Sequence, residues 1–241
     1  IPAGTTLAPG ERLVVPANAS AFTERYGVLI EGRLLSLSYL NPNGSNSFSN
    51  SGEHVQLLSA VAQPIVDFSY NDNRPWPLSA DGAGYSLTLR CPDRNDPTLP
   101  QSWRSSAALG GSPGGDDVIA LARWQSDHGV VDLLSDFDRD GIPALIEYLS
   151  GTDPALPDGS AVTVVRDGEN LRLEVRQRIG ADEVDLGAER ASDLMTWSSA
   201  EVEYWGRKNN GDGTATLRFR TPSAGFVSGE GFLRLSVSEK E

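Results

Sequence analysis

Alternation of apolar and polar residues marks most of this chain, and it is clearest toward the C-terminal end. Leu171, Leu173 and Val175 alternate with Arg172, Glu174 and Arg176. Leu217 and Phe219 alternate with Arg218 and Arg220, and Leu233, Leu235 and Val237 with Arg234, Ser236 and Ser238. A period of two predicts half-buried antiparallel strands. Asn209-Asn210-Gly211-Asp212-Gly213 supplies the hairpin turn. Residues 1–115 carry shorter β patterns. Leu13-Val14-Val15 follows Pro9-Gly10, Val55 and Leu57 face Ile65-Val66-Asp67-Phe68 across a turn, and Ser86-Leu87-Thr88-Leu89 alternates. Between these regions the period changes. Val118-Ile119-Ala120-Leu121-Ala122-Arg123-Trp124 reads as a helix with Asp117 as its cap, and Ala144 to Leu149 as a second, short helix onto which Trp124 packs. The fold class expected is therefore mainly β. Residues 1–115 form an immunoglobulin-like β-sandwich, 116–158 a helix–loop–helix linker, and 159–241 a second small antiparallel β-sandwich.

The linker holds the most specific motif. Asp136-Phe137-Asp138-Arg139-Asp140-Gly141-Ile142-Pro143-Ala144-Leu145-Ile146-Glu147 fits the calcium-loop pattern D-x-[DN]-x-[DN]-G-x5-E at every specified position. Asp136, Asp138 and Asp140 stand at loop positions 1, 3 and 5, Gly141 permits the sharp turn, Ile142 offers its backbone carbonyl, and Glu147 closes the shell at position 12. Three aspartates this close repel unless a hard cation lies between them. Ca2+ is the expected cofactor, with Asp136, Asp138, Asp140, Ile142 and Glu147 as its ligands. Pro143 has no N–H to bridge to a partner loop, and no second loop of this pattern occurs. A solitary site of this kind belongs to the extracellular affinity class, roughly 10⁻⁴–10⁻³ M. Asp153, in the Gly-Thr-Asp-Pro stretch that ends the second helix, either adds a ligand or caps a turn; the turn is favoured.

Composition narrows the partners. The formal net charge is −13 over 241 residues, which argues against nucleic acid or anionic membranes as partners of a basic surface. No apolar run approaches the length of a bilayer span. Cys91 is the single cysteine, so no intrachain disulfide forms; its expected place is a buried strand end. Trp76 and Trp103 either pack a sandwich core or serve as sugar-stacking platforms, with packing favoured. The outward arginines of the last strands are read as cross-strand partners of Glu174, Glu201 and Glu203 rather than an anion patch.

Several stretches bear a family likeness. IPAGTTLAPGERLVV (1–15), SFSNSGEHVQLL (47–58), YNDNRPWP (70–77), DGAGYSLTL (81–89) and SWRSSAALGGSPG (102–114) occur in this order. The first segment thereby resembles the lamin tail domain in its bacterial secreted form. DFDRDGIPALIEYLSGTDP resembles the aspartate-rich calcium linkers of secreted bacterial proteins, similar to thrombospondin type 3 and dockerin loops. DLMTW (193–197), NGDGTATLRFR (210–220) and GFLRLSV (231–237) look like the small C-terminal β-domains of such proteins. The lamin-tail likeness implies strands upstream of IPAGTTLAPG. The first sandwich is therefore expected to be incomplete, its missing strands supplied by an upstream segment or a neighbouring copy.

Catalytic signatures are missing from the sequence. There are two histidines, His54 and His128, and no G-x-S-x-G, HExxH or glycine-rich phosphate loop. The expectation is a non-catalytic, extracellular or cell-surface calcium-binding module, structural or adhesive, from a bacterium. Two alternatives stand beside it: an ancillary tail that targets a larger secreted enzyme to carbohydrate or another substrate, and a subunit of an extracellular filament with strand exchange between copies.

Overall fold

In the computed structural model the described residues are 1, 4–27, 33–35, 44–168, 170–221 and 231–239. They form several small sheets, nearly all antiparallel, and three short helices, a mainly β architecture of the β-sandwich type. Pro2 and Ala3 of the opening motif lie outside the described residues.

The first segment is a set of two-stranded pieces. β1 (Leu13–Val14) runs parallel to β2 (Arg33–Leu34), β3 (His54–Leu58) pairs antiparallel with β4 (Pro64–Ser69), and β5 (Leu87–Leu89) with β6 (Trp103–Ser105). Among the described residues these pairs do not join into one sheet. A helix, α1 (Ala19–Tyr26), also stands in this segment, where the sequence pattern predicts only strands. Asn18 caps it, its side chain accepting from the Ala21 N–H at 3.0 Å, and Gly27 ends it, so the start and stop signals were in the sequence. The packing centre of this segment is aromatic. Phe68 meets Trp103 at 4.8 Å between ring centroids, and Trp103 meets Trp76 at 6.0 Å. Both tryptophans are buried, and Trp103 Nε1 donates to the Pro97 carbonyl. They pack a core and present no open stacking face.

The C-terminal segment meets its expectation closely. β7 (Val162–Asp167), β8 (Asn170–Arg178), β10 (Glu203–Asn209) and β11 (Thr214–Arg220) form one antiparallel sheet in the order β10-β11-β8-β7. β9 (Val184–Ala191) and β12 (Phe232–Glu239) pair as a second sheet. Leu173, Val175, Leu217 and Phe219 from the first sheet meet Val184 and Ala188 from the second, with Leu233, Leu235 and Val237 packed against them. The outward arginines find carboxylates: Arg218–Glu174 at 2.8 Å, Arg220–Glu203 at 3.0 Å, and Arg190 with Glu201.

The linker differs from its expected form in two ways. α2 spans Leu121–His128, so Asp117 does not cap it. Instead Asp117 accepts from Arg104 Nη1 at 2.6 Å and from the Ala107 N–H, while Glu183 reaches across to the Leu121 N–H at 2.6 Å. A charged partner within reach outcompeted the local cap. Second, α2 and α3 (Ala144–Ser150) do not pack by themselves. Trp124, Leu133, Leu145, Tyr148 and Leu149 belong to the same buried cluster as β8 and β11. Trp124 does pack on Tyr148, at 5.5 Å between rings. Among the described residues, no helix is long and apolar enough to cross a membrane.

Candidate metal centre

The acidic loop is closed before any ion is considered. The Ala144 N–H donates to the Ser135 carbonyl and the Leu145 N–H to the Leu133 carbonyl, both at 2.9 Å. These bonds cinch residues 136–143 into a ring. Inside it the chain curls around its own carboxylates. Asp136 accepts from the Asp140 and Gly141 N–H groups, Asp138 from the Asp140 N–H, and Asp140 from the Ile142 N–H. Gly141 sits at φ +93°, a conformation that L side chains rarely adopt. As a result, one carboxylate oxygen from each of Asp136, Asp138 and Asp140 lies within 4.8 Å of the other two.

Glu147 approaches from α3. That helix starts after Pro143, which holds extended backbone (φ −66°, ψ 149°), and presents Ala144, Glu147, Tyr148 and Leu149 inward. Glu147 is 0% exposed, and neither of its carboxylate oxygens has a hydrogen-bond partner among the described residues. Asp138 Oδ2 is likewise buried and unpartnered. Burial pushes the Glu147 carboxyl up to about 7, and the charges of Asp138, Asp140, Asp136 and Asp158 add to the rise. Asp138 is raised as well, by desolvation first and by its aspartate neighbours after that. A buried carboxylate surrounded by carboxylates and lacking any donor is a costly arrangement. A hard cation with oxygen ligands removes that cost, so the residues present fit calcium.

Each expected ligand can be located. Asp136, Asp138 and Asp140 are brought together; Glu147 borders them but is not within the 4.8 Å spread of the trio. Ile142 is half-buried beside Gly141, its N–H turned to Asp140. Asp153 forms the turn that was favoured, accepting from the Ala155 N–H at 3.0 Å after Gly151 ends α3 in the left-handed region. One contact had no motif to announce it: the Asp158 N–H donates to Asp140 Oδ2 at 2.8 Å, tying the descending chain to the loop.

A second polar centre joins the segments, and no sequence motif marks it. Asp182 is buried and receives Arg104 Nε at 2.8 Å and Arg90 Nε at 3.1 Å. Arg104 continues to Asp117, and Arg90 to the Val184 carbonyl. Cys91, half-buried just past β5 and at φ +40°, donates its thiol to the Asp182 carbonyl at 3.4 Å. The histidines stand elsewhere. His54 pairs with Asp67 at 2.6 Å on the exposed β3–β4 hairpin, and His128 stacks on Trp124.

Comparison of the chain with protein-family models, curated proteins and solved structures gives no match.

Proposed function

We propose that this chain is a non-catalytic, extracellular calcium-binding β-module, structural or adhesive in role, in which one calcium ion seats α3 against the C-terminal sandwich. The observation that carries the reading is Glu147: a fully buried carboxylate with both oxygens unpartnered among the described residues, within reach of the charges of three aspartates that the loop brings together. Asp136, Asp138, Asp140, Glu147 and the Ile142 carbonyl are the proposed ligands. The bound ion neutralises the cluster and ties the loop to the helix, and through Leu145, Tyr148 and Leu149 to the shared core. The weak affinity expected of a solitary loop suits calcium-rich surroundings outside a cell. Calorimetry of chelator-treated protein tests this. One site is expected, with Asp138→Ala binding far more weakly; no heat at millimolar calcium would refute it.

One observation favours a further role for the first segment, that of accepting a β-strand from an upstream segment or a neighbouring copy. The β3–β4 hairpin leaves Val61 77% and Ile65 63% exposed, with Leu57 and Leu58 also open to solvent. Among the described residues neither strand has a second neighbour in its sheet. An apolar, unpaired edge is a template for strand addition. If copies supply it, sedimentation should show concentration-dependent assembly that Ile65→Lys abolishes; a monomer at all concentrations would exclude exchange between copies.

A further inference from the structure

A cavity of about 300 Å³ opens where the first segment meets the C-terminal sandwich. Its floor is apolar, from Leu186, Val202 and Phe219, and its walls include Arg90, Arg207 and Tyr204. Both arginines are nine-tenths buried or more. Neither has used all its donors. Arg90 donates through Nε and Nη2 to Asp182 and the Val184 carbonyl, leaving Nη1 without an acceptor among the described residues. Among the described residues Arg207 donates only through Nη2, to Gln177 Oε1 at 2.9 Å, and its Nε is buried without a partner. The Tyr204 hydroxyl, beside Arg207, is also buried and has no hydrogen bond of good geometry among the described residues.

Charge is unbalanced in the same place. Arg90, Arg104 and Arg207 are three buried cations, and Asp182 and Asp117 are the two carboxylates that Arg90 and Arg104 engage. Arg207 has no ion-pair partner among the described residues. Burial pulls its guanidinium down to about 10; the Arg90 and Arg104 charges act in the same direction, and Tyr204 and Asp182 oppose them only in part. Asp185 is the only carboxylate among the lining residues, and it is exposed. A buried cation without a counter-ion is unfavourable, and a guanidinium with free N–H groups matches the lone pairs of a carboxylate or phosphate.

We propose that this cavity is a binding site for a small organic anion, a carboxylate or phosphate ester with a compact apolar body, held by Arg207 and Arg90 over the Leu186–Val202–Phe219 floor. The volume lies at the small end of ligand pockets, and the position between segments is a common one for them. The site is independent of the acidic loop and of any role assigned to it.

Benzoate, phenyl phosphate and neutral benzyl alcohol are the probes, titrated calorimetrically into the calcium-saturated chain. Saturable binding of benzoate or phenyl phosphate at one site is expected, with benzyl alcohol not binding; the tighter of the two anions identifies the headgroup. Ser199 lines the cavity and is exposed to solvent. Ser199→Trp should block entry and abolish binding while leaving the fold intact. Arg207→Gln should weaken binding about tenfold to a hundredfold, the worth of one charged hydrogen-bond pair. No anion binding at millimolar concentration, equal binding of the alcohol, or undiminished binding to Ser199→Trp would each overturn the proposal.

Discussion

Asp182→Asn is a sharp perturbation because it changes charge and leaves volume almost untouched. Asp182 is 1% exposed and receives Arg104 through Nε at 2.8 Å and Nη2 at 2.7 Å, and Arg90 through Nε at 3.1 Å. Burial alone would raise its carboxyl. The Arg104 hydrogen bonds, with the charges of Arg104, Arg90 and Arg207, outweigh burial and hold it below the usual carboxylate range. An asparagine keeps one acceptor and loses the charge, so Arg90 is left buried with no anion in contact and Arg104 keeps only Asp117. Breaking a buried pair from one side costs about 3–5 kcal/mol. At about 2–4 °C per kcal/mol for a chain of this size, the melting temperature should fall by roughly 6–20 °C. Urea unfolding at neutral pH measures the free energy directly. The acid limb supplies a second reading. A depressed carboxyl contributes stability that is present above its unfolded value of 3.8 and lost as pH falls through its lower folded value. The variant lacks that contribution, so its stability should fall less steeply below that pH. A loss under about 1 kcal/mol would show that the cluster is solvated and that the account of the segment junction is wrong.

Other expectations follow from single contacts. Glu147 has its carboxyl raised from 4.5 to about 7 without metal, so its favourable contribution is full below 4.5 and lost as pH rises through about 7. Chelator-treated protein should therefore melt lower at pH 8 than at pH 5, calcium should restore the loss, and Glu147→Gln should flatten the profile; a flat wild-type profile would count against an uncompensated Glu147. Gly52 sits at φ +96°, and an added Cβ would run into the Tyr70 carbonyl oxygen. Gly52→Ala should cost about 1–3 kcal/mol and speed amide exchange in His54–Leu58 ahead of the rest of the chain; unchanged exchange would refute it. Trp103→Ala removes the ring that Phe68 and Trp76 share and should cost about 3–5 kcal/mol, read as loss of near-ultraviolet signal at lower urea.

What the sequence revealed depended on range. The C-terminal strands could be read because period-two alternation is local, and Leu173, Val175, Leu217 and Phe219 point inward as the pattern required. The acidic loop could be read because its spacing is contiguous from Asp136 to Glu147. The Arg90–Asp182–Arg104–Asp117 cluster could not. Its members lie as far as 92 residues apart, and in a chain with 33 acidic residues no arginine–aspartate pairing stands out. The same cluster explains why Asp117 failed as a cap: a local N-cap bond is worth about 1 kcal/mol, and Arg104 offered a charged, buried partner instead. The division at residue 158 was drawn from a change of period. Packing crosses it, because Arg178 of β8 lies over the Tyr148 ring and Tyr148 and Leu149 share a buried cluster with Leu173 and Leu217. α1 carries no clear helical pattern because its apolar face is thin and none of its residues is buried, leaving only its caps as signals.

The loop and α3 are proposed to share one calcium ion. The most direct measurement is a crystal structure grown in millimolar calcium, with the ion identified by anomalous scattering. One peak is expected, with oxygens of Asp136, Asp138, Asp140 and Glu147 and the Ile142 carbonyl at about 2.3–2.6 Å. A loop without that peak, its Glu147 oxygens paired instead to protein donors, would contradict it.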